Sequence, residues 1–440
     1  MAGDTVPVIV SYQRLNEKVS KALEMKPDSI IEAAKKPGGE GFESAESPAT
    51  DEEAARLMDK LSGALKHLQA KEQVAGILVS PEDQFTSLLQ SFLAENSLEA
   101  GKVAPADAGG LEAQFDEHDV LGWAKSLVTW TRKLRPHAWQ TAPANPDQVP
   151  DTLRVAILGD WGSGLYGAPV SAATIQNDPK GYGLLLHLGD VYYSGTEGEV
   201  TDRFLNLWPR YPHAINRACN SNHEMYTGGH AYFKLTLKRF KQPASYFALQ
   251  NTHWLLVGLD SAYEEGALAE GQVAWLNSLL ANAGDRRVIL FSHHQLFSWV
   301  DSIKGTIQSQ LGALLTSKKL FAWYWGHEHR CIIYDKHPVW GVHGRCIGHS
   351  GYPYFRDTFT EGSISERGPQ DTAWRKVGVK HLVPGALILE GPNPYVPGHA
   401  GKYGPHGYVT LELSGPRLNE IVHLPDGSIA YERELLDPGR

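Results

Sequence analysis

The spacing of hydrophobic positions changes about a third of the way along the chain. From Asp51 to Lys71, Leu57, Leu61, Leu65 and Leu68 recur at helical spacing with charged residues between them. Ser80-Pro81-Glu82-Asp83 predicts a helix start, an N-cap followed by proline in the first turn, and Phe85, Leu88, Leu89 and Phe92 then form one apolar face. A third helix is predicted from about Asp116 to Arg135, with Val120, Leu121, Ala124, Leu127, Val128 and Leu134 inward. Its Arg132, Lys133 and Arg135 suit the negative end of the helix dipole. Between Lys35 and Asp51 the chain is rich in Gly, Pro, Ser and Glu, which predicts a mobile loop near 35–50. Pro143, Pro146 and Pro150 punctuate a polar stretch, so a domain boundary is placed there. The expected organisation is a helical N-terminal region over 1–150 and a second domain over 151–440.

From Leu153 onward short aliphatic and β-branched runs alternate with longer, helix-compatible segments, the pattern of an α/β sheet protein. The runs include Arg154–Leu158, Gly183–Leu188, Trp254–Leu259, Arg287–Phe291 and Leu320–Trp325. Near the end the pattern changes again. Tyr408–Leu413 alternates strictly, and Pro425-Asp426-Gly427 is a turn between two further strand-like segments, which predicts a closing antiparallel meander. No internal repeat is visible.

Composition narrows the class without naming it. Hydrophobic content of 42% and charged content of 21% over 440 residues is that of a globular protein with a sizeable core. A formal net charge of -9 argues against an extensive nucleic-acid surface. The opening Met1-Ala-Gly-Asp-Thr lacks a charged segment followed by an apolar one, and no apolar run is long enough to span a bilayer. Cys219, Cys331 and Cys346 form no CxxC pair and read as buried reduced thiols. A cytoplasmic location without membrane attachment is expected.

The chemistry lies at the ends of the strand-like runs. Ile157-Leu158-Gly159 ends at Asp160, and His187-Leu188-Gly189 ends at Asp190. Ile289-Leu290-Phe291-Ser292 ends at His293 and His294, and Trp323-Tyr324-Trp325-Gly326 ends at His327-Glu328-His329. Ligands of open α/β sheets bind beyond the carboxyl ends of the strands, so these metal-binding residue types are able to converge. Asn222-His223-Glu224 adds a further polar cluster. The glycines before Asp160, Asp190 and His327 suit sharp exits from a sheet. One Gly-Asp means little; five such pieces in order are specific.

Taken together, Asp160-Trp161-Gly162, Gly189-Asp190-Val191-Tyr192-Tyr193, Asn222-His223-Glu224, His293 and Gly326-His327-Glu328-His329 resemble the ordered motifs of calcineurin-like metallophosphoesterases. Within that superfamily they are most similar to those of purple acid phosphatases, through the glycine at 162 and the GDxxY of the second motif. The resemblance covers roughly Leu153 to His329 and implies a two-sheet αββα sandwich. It implies one metal held by Asp160, Asp190, Tyr193 and His329, and a second held by Asp190, Asn222, His293 and His327, with Asp190 bridging. A tyrosine ligand points to Fe(III) at the first site, with Fe, Zn or Mn at the second. A core tyrosine is the plain alternative for Tyr193.

The resemblance further implies hydrolysis of phosphoesters, phosphomonoesters first, by hydroxide attack at phosphorus. His223 would stabilise the transition state or protonate the leaving group. Glu224, His294 and His230 are expected to contact substrate or support the ligands. Ser221 departs from the family's glycine before Asn-His, no histidine stands between His294 and His327, and the family is commonly secreted, whereas this chain shows no export signal. His337, His343 and His349 are read as ordinary polar residues, and Asp260 as a structural aspartate. Alternatives remain: a nucleotide or cyclic-nucleotide phosphodiesterase, or a regulatory protein that binds a protein partner through its N-terminal helices.

Overall fold

The computed structural model describes residues 136–435 apart from 270, 357–360, 397 and 399, together with the isolated positions 84 and 87. The chain divides into two units, Met1–Arg135 and Pro136–Arg440, of which the second is described below. The helices expected from Asp51 to Arg135 and the loop near 35–50 lie outside the described residues, the two isolated positions excepted.

Two sheets are built from the runs that the hydrophobic pattern marks. In the six-stranded sheet β2 (Thr152–Leu158) sits at the centre, with β3 (Leu184–His187) and β4 (Ile215–Ala218) parallel to it on one side. On its other side run β14 (Tyr408–Ser414), β15 (Arg417–His423) and β16 (Ile429–Leu435), an antiparallel meander that turns at Pro425-Asp426-Gly427. The expected closing meander is therefore present, paired to β2.

The second sheet has ten strands. β1 (Asp147–Gln148), from the stretch expected to hold the domain boundary, pairs with β5 (Phe247–Gln250). There follow β6 (Trp254–Gly258), β7 (Arg287–Ser292) and β8 (Leu320–Trp325), mutually parallel. The sheet continues through β10 (His343–Ile347), β9 (Cys331–Tyr334), β13 (Ala386–Glu390), β12 (Ala373–Val377) and β11 (Ser363–Ile364).

Alternation at period two divides each strand between two cores. Val155, Ile157, Leu184, Leu186, Val409 and Leu411 meet Leu256, Ile289, Phe291, Tyr324 and Ile333 between the sheets. The intervening residues of the large sheet, among them Val257, Leu290, Trp323 and Trp325, face outward onto Leu276, Leu279 and Leu280 of the helix Gln272–Ala281. On the small sheet, Ala156, Leu158 and Leu185 pack on Ala168, Ala172 and Ile175 of the helix Gly167–Gln176. Sheets buried on both faces explain why β3, β6 and β8 read as continuous apolar runs. The result is the expected αββα sandwich. Cys219, Cys331 and Cys346 are free and buried, and no described helix is long and apolar enough to cross a membrane.

A fully buried ion pair crosses between the sheets. Arg345 of β10 donates through Nε to both carboxylate oxygens of Glu420 on β15, at 2.8 and 2.9 Å, and Tyr324 of β8 donates to the same carboxylate at 2.7 Å. Arg345 is 1% exposed and Glu420 0%, so neither charge has water to fall back on. Removing one partner of such a pair strands the other. Glu420→Ala should cost about 3–5 kcal/mol of stability, read as a lowered urea midpoint. A midpoint equal to that of the native protein would show that the pair does not hold the sheets.

Candidate metal centre

Four parallel strands from two different sheets deliver the candidate ligands. Asp160 follows β2 and Asp190 follows β3 in the small sheet, while His293 follows β7 and His327 and His329 follow β8 in the large one. Asn222 opens the short helix Asn222–Met225 beyond β4. Backbone bonds tie the loops together: Asp160 N–H to Gly189 O at 3.0 Å, Gly162 N–H to Asp190 O at 3.1 Å, and Gly326 N–H to His293 O at 3.0 Å. Asp160, Asp190, His327 and His329 themselves adopt positive φ, at 55°, 74°, 70° and 53°. Side chains pay roughly 1–3 kcal/mol each for sparsely populated backbone regions, so the fold spends stability to aim these four inward.

The side chains fall into two groups. In one, ligand atoms of Asp160, Asp190 and His329 lie within 4.8 Å of one another; in the other, so do those of His293, His294 and His327. His329 Nε2 is 3.5 Å from Asp160 Oδ1 and 3.8 Å from Asp190 Oδ2. His293 Nε2 is 3.3 Å from Asp190 Oδ1, 2.8 Å from Asn222 Oδ1 and 3.1 Å from His327 Nδ1. Asp190 thus turns one oxygen toward each group.

The residues fit a pair of cations on several counts. Asp190 Oδ1 is buried without a hydrogen-bond partner. His293 donates through Nδ1 to Leu188 O at 2.9 Å, leaving the Nε2 lone pair inward. Asn222 donates its Nδ2 to Tyr226 Oη at 2.9 Å, so the amide oxygen faces the cluster. Burial, and then the neighbouring charge of Asp190, push the Asp160 carboxyl well above the carboxylate range. Burial works against ionised Asp190 too, but His293, His223 and His329 outweigh it and hold that carboxyl well below its ordinary value. Burial pushes His293 down to about 3, which keeps it neutral, the ligand form.

Glycines make the room. A Cβ at Gly326 would stand 2.5 Å from Asp160 Oδ2, and one at Gly348 would stand 2.6 Å from the same atom. His327 N–H donates to both oxygens of Asp160, at 3.0 and 2.9 Å. Gly348 escapes sequence reasoning because it follows β10, a strand whose Gly-rich surroundings carry no ligand.

The tyrosine that reaches the cluster is Tyr192. Its hydroxyl donates to Asp190 Oδ2 at 2.9 Å and lies 2.7 Å from His329 Nε2. Tyr193, the residue assigned by motif spacing, instead lies with its ring centroid 5.7 Å from the Arg203 guanidinium. In the same loop the Glu199 carboxylate accepts the backbone N–H groups of Tyr193, Ser194 and Thr196, at 2.6, 3.1 and 3.0 Å. Tyr352 stacks on Tyr192 at 4.3 Å and approaches the His329 ring at 4.4 Å. His406 in turn donates through Nε2 to Tyr352 O at 3.1 Å, so the Gly/Pro-rich loop 391–407 backs the site through this aromatic pair.

The other candidates divide. His223 donates through Nδ1 to Tyr193 O at 2.6 Å and lies against the Tyr192 ring at 4.0 Å, beside the cluster. Glu224 and Ser221 both accept the Asp190 N–H, at 3.2 and 3.1 Å, and Ser221 Oγ also donates to Glu224. Serine at 221 therefore has a task that glycine cannot perform. His294, hydrogen-bonded to Ser261 Oγ at 3.0 Å, brings its ring 4.7 Å from that of His327. His230 sets its ring edge to His137 at 5.7 Å and enters neither group. Asp260 accepts N–H groups from Ala262 and Tyr263, each at 2.9 Å, and the Asn220 amide, as a structural aspartate does. His337, His343 and His349 also stand outside both groups.

Residues 153–331 match the family model for calcineurin-like phosphoesterase. This stretch is the part of the chain that is similar to calcineurin-like phosphoesterases. It holds every residue of the two groups. The chain is also similar to tartrate-resistant acid phosphatase type 5 of Sus scrofa, 25% identical over 249 residues, 47% of this chain and 73% of that protein. Among solved structures, a purple acid phosphatase from yellow lupin (Lupinus luteus) seeds aligns with a TM-score of 0.47 at 14% identity, over 67% of this chain and 55% of its own. A dimetal phosphatase from Danio rerio aligns with a TM-score of 0.38 at 11% identity, over 64% of this chain and 98% of its own. The chain therefore spans only about half the length of the lupin protein.

Three substitutions probe the candidate site directly. Gly326→Ala should displace Asp160 and lower the metal bound per chain severalfold, measured by elemental analysis; full retention would mean that the glycine is not needed for room. In iron-loaded protein the observed geometry predicts that Tyr192→Phe abolishes a tyrosinate-to-iron absorption band and Tyr193→Phe leaves it. The reverse pattern would restore the assignment by spacing.

Proposed function

We propose that the phosphoesterase domain hydrolyses phosphomonoesters at a dinuclear metal centre. The observation that carries this reading is the division of Asp190, one oxygen toward His329 and the other toward His293. Asp160, Asp190, His329 and a tyrosine would hold one ion, with iron the natural candidate. Asp190, Asn222, His293 and His327 would hold the other, as Fe, Zn or Mn. Two such ions supply a low-pKa water and charge neutralisation on the phosphoryl oxygens.

The chain's own residues do the rest. His223 is fixed through Nδ1 by the Tyr193 carbonyl, which leaves Nε2 as the atom offered to substrate. Held there, it stabilises the phosphoryl oxygens or passes a proton to the leaving oxygen. His294, steadied by Ser261, supplies a second imidazole on the His327 side. Glu224 grips the Asp190 backbone, so the bridging carboxylate keeps its orientation during turnover. Close tyrosine rings at 192 and 352 wall the site on the His329 side. Small phosphoesters are the substrates this arrangement suits.

Asp190→Asn should lower both metal content and turnover of p-nitrophenyl phosphate, the latter by about 100-fold or more. His223→Ala should slow turnover by roughly 10²–10⁴ with metal content unchanged. Normal metal content in Asp190→Asn would remove the bridge, and metal loss in His223→Ala would make that histidine structural. Faster turnover of bis-p-nitrophenyl phosphate than of the monoester would overturn the monoester assignment in favour of a diesterase.

A further inference from the structure

Away from the metal cluster, at the β11–β12–β13 edge of the large sheet, a cavity of about 100 Å³ is lined by Arg356, Arg367, Arg375, Ala373, Glu390 and Gly391. That is room for roughly three water molecules, or for one tetrahedral oxyanion. The three guanidinium groups arrive from three places: the loop after Phe355, the loop after β11, and β12 itself. Arg375 is engaged, donating through Nε to Glu390 at 2.7 Å. Arg367 donates only to a backbone carbonyl, that of Asp371, at 2.7 Å, and Arg356 makes a long 3.4 Å bond to Gly401 O. Among the described residues neither meets a carboxylate. The lining therefore carries an excess of two positive charges, in a protein whose net charge is -9.

Like charges gathered around one cavity repel unless an anion joins them, and a dianion with several acceptor oxygens answers both the charge and the donor count. A phosphate group carries about -1.5 to -2 near neutral pH, which matches the excess. The wall is built for close approach. Gly391 has φ +136°, and a Cβ there would stand 2.8 Å from Thr372 Cα. Arg356 is held by its own N–H on Lys402 O at 3.1 Å, next to the Phe355–Tyr403 bridge. Arg330, the residue after His329, donates to Phe355 O at 3.1 Å and so ties this loop to the metal side. Arg356 lies four positions after Tyr352, a span of at most about 14 Å.

We propose that this arginine-lined cavity is a second anion site that binds a phosphate group apart from the metal centre. The inference does not rest on the catalytic reading. Two sources share the chemistry: free inorganic phosphate, or a second phosphate on the substrate whose first lies at the metals.

The test is calorimetric titration of inorganic phosphate into the full-length, metal-loaded chain, native and Arg356→Ser/Arg367→Ser. The site predicts that the double variant loses one phosphate per chain or binds it at least tenfold more weakly, with metal content and p-nitrophenyl phosphate turnover unchanged. If the substrate supplies the anion, KM for a bisphosphate ester rises in the variant while KM for the monophosphate does not. If free phosphate does, neither KM moves. Unaltered phosphate stoichiometry and affinity in the double variant would overturn the proposal, as would phosphate binding that depends only on the metals.

Discussion

Two carboxylates, Asp160 and Asp190, lie fully buried within reach of each other, among the imidazoles of the site. A low-dielectric interior does not hold both as anions without compensating cations, which is why Asp160 is pushed well above the carboxylate range. Asp160 answers in part by taking the Glu328-side turn's N–H from His327, and Asp190 by leaning on three histidines. Neither arrangement satisfies Asp190 Oδ1. The rest of the site is arranged around this deficit: positive φ at four ligand positions, glycines at 326 and 348, and amide and imidazole groups turned so that their lone pairs face inward.

The deficit lies at a seam. Asp160 and Asp190 follow strands of the small sheet, and His293, His327 and His329 follow strands of the large one, so the spacing of carboxylates from imidazoles is set by the spacing of the sheets. That spacing is fixed by the apolar core that joins them and by the buried Arg345–Glu420–Tyr324 connection that crosses it. A rigid sandwich beneath a set of short loops holds reacting groups to the tolerance that catalysis demands. Stability and chemistry are thus linked through one register.

Much of this was legible in the sequence, because strand ends are local. The ligand-bearing strands β2, β3, β7 and β8 each announced themselves as an apolar run followed by glycine or serine and then Asp or His, and with β6 they lie where the runs predict; β4, which leads to Asn222, did not. The closing meander followed from strict alternation and a Pro-Asp-Gly turn. The extension through β10 and β12 did not announce itself, since Arg345 and Arg375 interrupt the apolar pattern and their carboxylate partners, Glu420 and Glu390, lie elsewhere in the sequence. The resemblance implies Tyr193 as a ligand, whereas the hydroxyl found beside Asp190 and His329 is that of Tyr192, a placement that depends on the path of the loop. Gly348 and Ser221 matter for what stands opposite them in space.

The most direct test of the central claim, that buried charge here is balanced by two cations, is the metal stoichiometry of the full-length chain purified without chelators and then offered Fe, Mn and Zn. Elemental mass spectrometry should find roughly two ions per chain, iron among them. A chain that retains none, while remaining folded by circular dichroism, would contradict the account, because protonation of Asp160 would then suffice to relieve the buried pair.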